Sequence, residues 1–156
     1  MSARLFVICG LPGSGKTTLA KQLEIAEDAV RYCPDEWLPD LWDQEARYRL
    51  EAKMWEQAQR LLSLGVPVVI EFGSWARAER DELRDGARRL GVPVELRYLE
   101  VPLDELVRRV ESREWNAAPI TRAHLEEWQH VIEVPTPEEL ALYDPPREPN
   151  WGALTP

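Results

Sequence analysis

The chain has 156 residues and a net charge of −9, with a pI of about 4.8. That length suits one domain with a self-sufficient core, and the acidic balance weighs against a broad nucleic-acid-binding face, which shows as a basic domain. Two cysteines, Cys9 and Cys33, are too few for a disulfide framework, and no apolar run approaches the roughly 18–20 residues of a membrane span.

The N-terminus has no basic-then-apolar leader pattern. The expectation is therefore a cytoplasmic protein with buried, reduced thiols. Residues 1–143 read as one domain, and 144–156 as a proline-rich tail extended over its surface.

In chain order, Leu5–Cys9 is a continuous apolar run, as expected of a strand buried on both faces. A glycine-rich turn follows, then a helix from about Lys16 with Leu19, Ala20 and Leu23 on one side. Ala29–Cys33 reads as a second strand. A long helix over about 42–64 carries Leu50, Met54, Ala58 and Leu61 at helical spacing and stops at Gly65.

Val66–Phe72 is the third strand. The next helix, over about 76–90, carries Ala76, Leu83, Ala87 and Leu90 on one face. Val94–Leu99 is a fourth strand, more polar and so nearer an edge. Leu103, Leu106, Val107 and Val110 mark a helix, and Thr121–His130 a shorter one.

Val131–Val134 reads as a last short strand. Thr136-Pro137-Glu138-Glu139 then opens a final helix, with Thr at the cap, Pro at the first helical position and Glu three residues after the cap. Alternating strands and helices imply an α/β fold with a mostly parallel sheet covered on both faces. Ligands of such sheets sit at the carboxyl ends of the strands.

The strongest motif is Gly10-Leu11-Pro12-Gly13-Ser14-Gly15-Lys16-Thr17, a full match to G-x-x-x-x-G-K-[ST] between a strand and a helix. The glycines let backbone N–H groups close around phosphate oxygens, and the helix N-terminus adds further unpaired N–H groups. Lys16 would reach the β- and γ-phosphates, Thr17 would bind Mg²⁺, and Thr18 is a weaker candidate for the α-phosphate. No Asn-Lys-x-Asp motif for guanine recognition and no Asp-x-x-Gly switch accompanies it.

Asp35 follows the second strand and would sit at the same edge, either as a base or as a turn residue. Glu71 ends the third strand, where it would hold a water of the Mg²⁺ shell or pair with an arginine. Trp75 either walls an acceptor pocket or packs the core. Arg80 either holds an acceptor or is a solvated helix charge. Arg109 and Arg113 either cover the γ-phosphate or form surface ion pairs. Trp37, Trp42, Tyr48 and Trp55 would form an aromatic acceptor cap or pack the long helix. His124 and His130 have no metal-ligand partner at useful spacing.

Taken together, the loop Gly10–Thr18, Asp35-Glu36-Trp37, Val68–Trp75, Arg80, Arg109–Arg113 and Glu133–Glu139 resemble the P-loop kinases grouped around zeta toxins, chloramphenicol phosphotransferase and polynucleotide 5′-hydroxyl kinase. The resemblance spans Leu5 to Tyr143. It implies a three-layer α/β/α P-loop NTPase fold, nucleoside-kinase-like, that uses ATP and Mg²⁺. It also implies Asp35 as catalytic base, Arg109 and Arg113 as a lid over the γ-phosphate, and Glu133–Glu139 beside the adenine. The acceptor expected is a hydroxyl of a small molecule, with Asp35, Trp37, Trp75 and Arg80 around it. A polynucleotide end is disfavoured by the net charge, and an acceptor-free ATPase switch would have no use for Asp35.

Overall fold

The computed structural model describes residues 2–113 and 119–147. The segment after Arg113 (114–118) and the end of the proline-rich tail (148–156) lie outside the described residues. Strands β1 (Leu5–Cys9), β2 (Val30–Tyr32), β3 (Val68–Gly73) and β4 (Val94–Tyr98) form a parallel sheet in the order β2-β3-β1-β4. The helices are α1 (Lys16–Ala26), α2 (Pro34–Trp37), α3 (Gln44–Ser63), α4 (Arg77–Arg89), α5 (Leu103–Glu111), α6 (Arg122–Val131) and α7 (Pro137–Leu140).

Side-chain alternation along the strands makes the sheet two-faced. Phe6, Ile8 and Val69 point to one side and bury Ala20 and Leu23 of α1. Leu5, Val7, Cys9, Val68 and Ile70 point to the other, where α3, α4, α5 and α6 supply Met54, Ala58, Leu83, Val107 and Leu125. This is the three-layer α/β/α arrangement expected from the strand–helix alternation. The polar strand β4 is an edge, as its composition indicates.

That edge is covered. The Asp144 amide donates to the Val94 carbonyl at 2.9 Å, and the Asp144 carboxylate accepts from the Val94 amide at 2.8 Å. Glu95, fully buried, takes Arg4 at 2.6 Å, Arg97 at 2.7 Å and the Arg147 amide at 3.0 Å. The first four tail residues thus lie against β4 and occupy hydrogen-bonding groups that a bare edge would offer to another chain.

The long helix buries Met54, Trp55, Ala58 and Leu62. Leu50 and Leu61 are half-buried against the same core, so the expected stripe is present but rotated toward Trp55. Trp55 belongs to the core rather than to an aromatic cap, and its ring fills the space a side chain at Gly86 would take. A Cβ on Gly86 would lie 2.4 Å from Trp55 Cζ2. We expect Gly86→Ala to lower stability by about 1–3 kcal/mol through overpacking, despite a helix-propensity gain of up to about 1 kcal/mol. A fall in the urea midpoint at unchanged slope would register it.

Two local expectations change. Val131 ends α6, and the residues after it form no strand. Their polar groups are taken instead by a loop and a side chain: the Glu133 amide donates to the Trp75 carbonyl at 2.9 Å, and its carbonyl accepts from Arg80 Nη2 at 2.8 Å. At α7, Thr136 Oγ1 accepts from the Glu139 amide as expected, but the Glu139 carboxylate does not return to the cap. It turns inward to Arg80.

Candidate active site

The carboxyl ends of β1, β2 and β3 open into a cleft of about 1350 Å³. The β1–α1 loop forms its floor. Gly15, at φ 94°, takes the left-handed conformation at the N-cap of α1, and no side chain caps that helix. The first N–H groups of α1 thus have no side-chain competitor for an anion. Gly10 has no room for a side chain, since a Cβ there would stand 2.6 Å from Ser14 Oγ and 3.2 Å from the Leu99 carbonyl.

Three features show that this floor fits a polyphosphate. Lys16 Nζ donates to the Gly10 and Leu11 carbonyls at 2.8 and 3.1 Å, folded back over its own loop. Ser14 Oγ is buried without a partner. Gly13, Ser14, Gly15, Lys16, Thr17 and Thr18 all line the cleft.

Thr17 Oγ1 donates to Glu71 Oε1, joining the two candidate metal ligands. Among the described residues no group of three or more His, Cys, Asp or Glu could hold a metal. Two hard oxygen donors suit Mg²⁺, which is held through one or two protein ligands with phosphates and waters completing the shell.

Of the two sequence readings of Glu71, the structure carries the pairing with an arginine. Its second oxygen accepts from Arg31 Nη1 at 2.9 Å. Arg31, on β2, also pairs with Glu24 at 3.1 Å and with Glu36 at 2.9 Å. Sequence reasoning passed over Arg31, although an arginine inside a strand is itself a signal of buried carboxylates nearby. It ties Glu71 to α2, the short helix that carries Asp35.

Asp35 is exposed in the cleft, and its carboxylate pairs with Arg47, which also holds Glu51 at 3.1 Å. Arg47 is a second residue the sequence did not single out. Its signal was helical spacing only: Arg47 and Glu51 are i, i+4 on α3, facing the Asp35 turn.

Burial lowers the Lys16 pKa to about 8, against the opposing pull of Asp35 and then Glu71. The folded value therefore lies below the unfolded one. In the ligand-free protein the buried charge costs stability below about pH 8, and the cost fades as pH rises from there toward the ordinary lysine value. A bound triphosphate favours the charged amine, so we expect nucleotide binding near pH 8.5 to take up a fraction of a proton. Calorimetric titration in buffers of different ionisation enthalpy would show it, and Lys16→Met would abolish it.

The thiols are buried as expected, with burial pushing Cys9 up to about 11 and Cys33 up to about 12.

Arg109 on α5 and Arg113 just after it reach the cleft. Arg109 Nη1 donates to the Gly13 carbonyl at 3.0 Å while its Nε holds Glu105 at 2.9 Å, so it leans on the phosphate loop and makes the expected ion pair together. Arg113 lines the cleft beside it. Arg108 points away to Glu105 at 2.5 Å.

The acceptor candidates divide. Trp75 lines the cleft, with Nε1 donating to the Gly10 carbonyl at 3.1 Å. Trp37 is 60% exposed and lies outside the cleft lining. Arg80 is neither an acceptor ligand nor a solvated charge. It is 0% exposed, paired with Glu139 at 2.6 and 2.9 Å, and donates to the carbonyls of Ser74, Trp75 and Glu133. Its five donors are consumed in fastening the β3–α4 loop to the α6–α7 loop and to α7.

His124 caps α6, its Nδ1 accepting from the Thr121 amide at 3.0 Å, and stacks on Trp128. No helix among the described residues is long and apolar enough to cross a membrane.

Residues 5–135 match the family described as AAA domain. None of the curated proteins matches the chain in sequence. Among solved structures the chain is similar to a gluconokinase from Sinorhizobium meliloti 1021, with 23% identity, coverage of 88% of this chain and 79% of that one, and a TM-score of 0.64. It is similar to a chain of the Pnkp1/Rnl/Hen1 RNA repair complex, at 22% identity and TM-score 0.69, covering 81% of this chain and 42% of that one. A third likeness is to the APS kinase of Mycobacterium tuberculosis in complex with AMPPNP and APS, at 18% identity and TM-score 0.58, covering 95% and 86%. At these identities the likeness is one of fold, and that fold is the one P-loop kinases use.

Proposed function

The chain belongs to the AAA domain family, and from that premise we propose that it is an ATP- and Mg²⁺-dependent phosphotransferase that moves the γ-phosphate to a hydroxyl of a small molecule. The observation that carries the reading is the position of Asp35. Its carboxylate stands exposed in the same cleft as the phosphate loop, close enough for its charge to act on Lys16, and is held there by Arg47. A protein that only bound or hydrolysed nucleotide would have no use for a base set apart from the metal carboxylate Glu71.

In this reading the backbone N–H groups of the loop and Lys16 hold the β- and γ-phosphates. Thr17 and Glu71 are the protein's ligands to Mg²⁺, Glu71 by way of water. The ion when bound neutralises phosphate charge. Asp35 orients the acceptor hydroxyl and accepts its proton as the new P–O bond forms and the bond to the bridging oxygen breaks. Arg109 and Arg113 balance charge spread over the transferring oxygens. Arg31 and Arg47 fix the two carboxylates in their separate places.

The test is ADP release from Mg²⁺·ATP against a panel of sugars, nucleosides, amino alcohols, hydroxylated antibiotics and a 5′-hydroxyl oligonucleotide, with Lys16→Ala as blank. An acceptor that raises turnover toward about 1–100 s⁻¹ is the expected result. Slow hydrolysis unmoved by every acceptor would replace the kinase reading with that of a nucleotide switch.

A further inference from the structure

We propose that the acceptor is a small organic cation bearing a hydroxyl, seated with its positive charge against the indoles of Trp42, Trp75 and Trp128 and its hydroxyl toward Asp35. The inference rests on the phosphotransfer reading and adds to it the chemical class of the substrate.

The first observation is an aromatic wall. Trp75 and Trp128 have ring centroids 5.6 Å apart, Trp42 and Trp128 6.0 Å, and Trp42 and His124 5.1 Å, with His124 stacked on Trp128 at 5.3 Å and 12°. The rings come from three separate stretches: the α2–α3 connection, the β3–α4 loop and α6. All three indoles line the cleft, and Trp42 is 38% exposed. Three half-open indoles gathered on one wall of a cleft offer flat faces of negative quadrupole, which suit ring faces and cations.

The second observation is the sign of the charge around that wall. Beyond Asp35 the lining carries Glu51, Glu79 and Glu127, and the guanidinium of Arg47 is shared between Asp35 and Glu51. Arg109 comes from α5, the helix that leans on the phosphate loop, and Arg113 from just after its end. Burial raises the Glu51 pKa despite its bond to Arg47, and Glu79 and Asp35 push it the same way. The cleft lining as a whole carries six carboxylates (Asp35, Glu36, Glu51, Glu71, Glu79 and Glu127) against five cations (Lys16, Lys21, Arg47, Arg109 and Arg113). An ammonium would relieve this excess, whereas an acidic sugar or a polynucleotide would add to it.

The third observation is Ser74. Its residue is 3% exposed, it lines the same cleft next to Trp75, and its hydroxyl has no partner. It also sits at φ 52°, an uncommon conformation for a residue with a side chain. An unpartnered buried hydroxyl there is an available hydrogen-bonding group for a polar substituent of the ligand.

Two trios of near-isosteres separate charge from shape: glucosamine, glucose and glucuronate, and tyramine, 4-ethylphenol and 4-hydroxyphenylacetate. Binding of each to the whole protein is measured calorimetrically, and phosphoryl transfer is scored separately by ADP release. In at least one trio the cation should bind about tenfold more tightly than its neutral partner, and the anion most weakly. Glu79→Gln should narrow the cation-over-neutral ratio, and Trp128→Leu should weaken the cation more than Glu79→Gln does.

The inference is overturned if neutral or anionic members bind as well as the cation in both trios, or if none binds at millimolar concentration. ADP release driven by a neutral or anionic acceptor would overturn it and leave the kinase reading standing. Cation binding without any acceptor-driven ADP release would remove the kinase reading and keep the cation site, but not as an acceptor site.

Discussion

Arg80→Met is expected to cost about 3–5 kcal/mol of stability, the range for removing one partner of a buried ion pair. Three things are lost together. Glu139, 1% exposed, loses its counter-charge. The carbonyls of Ser74, Trp75 and Glu133 lose a charged donor. The loops before α4 and before α7 lose the link between them.

Arg80→Lys should recover little, because a single ammonium cannot reproduce the fork that serves a carboxylate and three carbonyls at once. The double variant Arg80→Met with Glu139→Leu should recover part of the loss. It removes the orphaned carboxyl group but still leaves the three carbonyls unmet. Urea denaturation of the three variants provides the measurement. A loss below about 1 kcal/mol in Arg80→Met would mean that water replaces the guanidinium, and that the cluster is not closed.

Asp35→Asn carries the second large effect. Turnover with the best acceptor is expected to fall about 10²–10⁴-fold, the range for loss of a positioned base, while nucleotide affinity stays within a few-fold of the parent. The reason for the separation is geometric. Thr17 and the loop amides are untouched by the substitution, Lys16 keeps its place and loses only the pull of the Asp35 charge, and asparagine still offers an oxygen to Arg47. Single-turnover kinetics with labelled ATP would place the loss in the transfer step. Full transfer by a folded Asn variant would exclude Asp35 from proton abstraction and turn attention to Glu36.

The sequence had already located much of this site. The phosphate loop is a contiguous motif, so its residues, the strand before it and the helix after it are local in sequence and were readable as one unit. Asp35 and Glu71 were readable because each follows an apolar run, and strand ends in a parallel sheet converge on one edge. Residues whose partners lie far along the chain were not readable in this way. Arg31 reaches Glu71, forty positions on, and Arg80 reaches Glu139, fifty-nine positions on. Nothing beside either arginine in the sequence names its partner.

Local pattern therefore determined neither the short helix α2 nor the absence of a strand after α6, but it did determine the four strands, the long helices between them, the phosphate loop and the Thr136 cap. Those features depend on neighbours within one or two turns, where propensity and hydrogen bonding act directly. Tertiary structure alone decided how charges pair and which faces meet. It turned Glu139 from a helix cap into the counter-ion of Arg80, moved Trp55 into the core against Gly86, and brought three tryptophans from distant stretches onto one wall. A buried charge or an indole face is stabilised by whatever the fold places opposite it, and that partner is not written next to it in the chain.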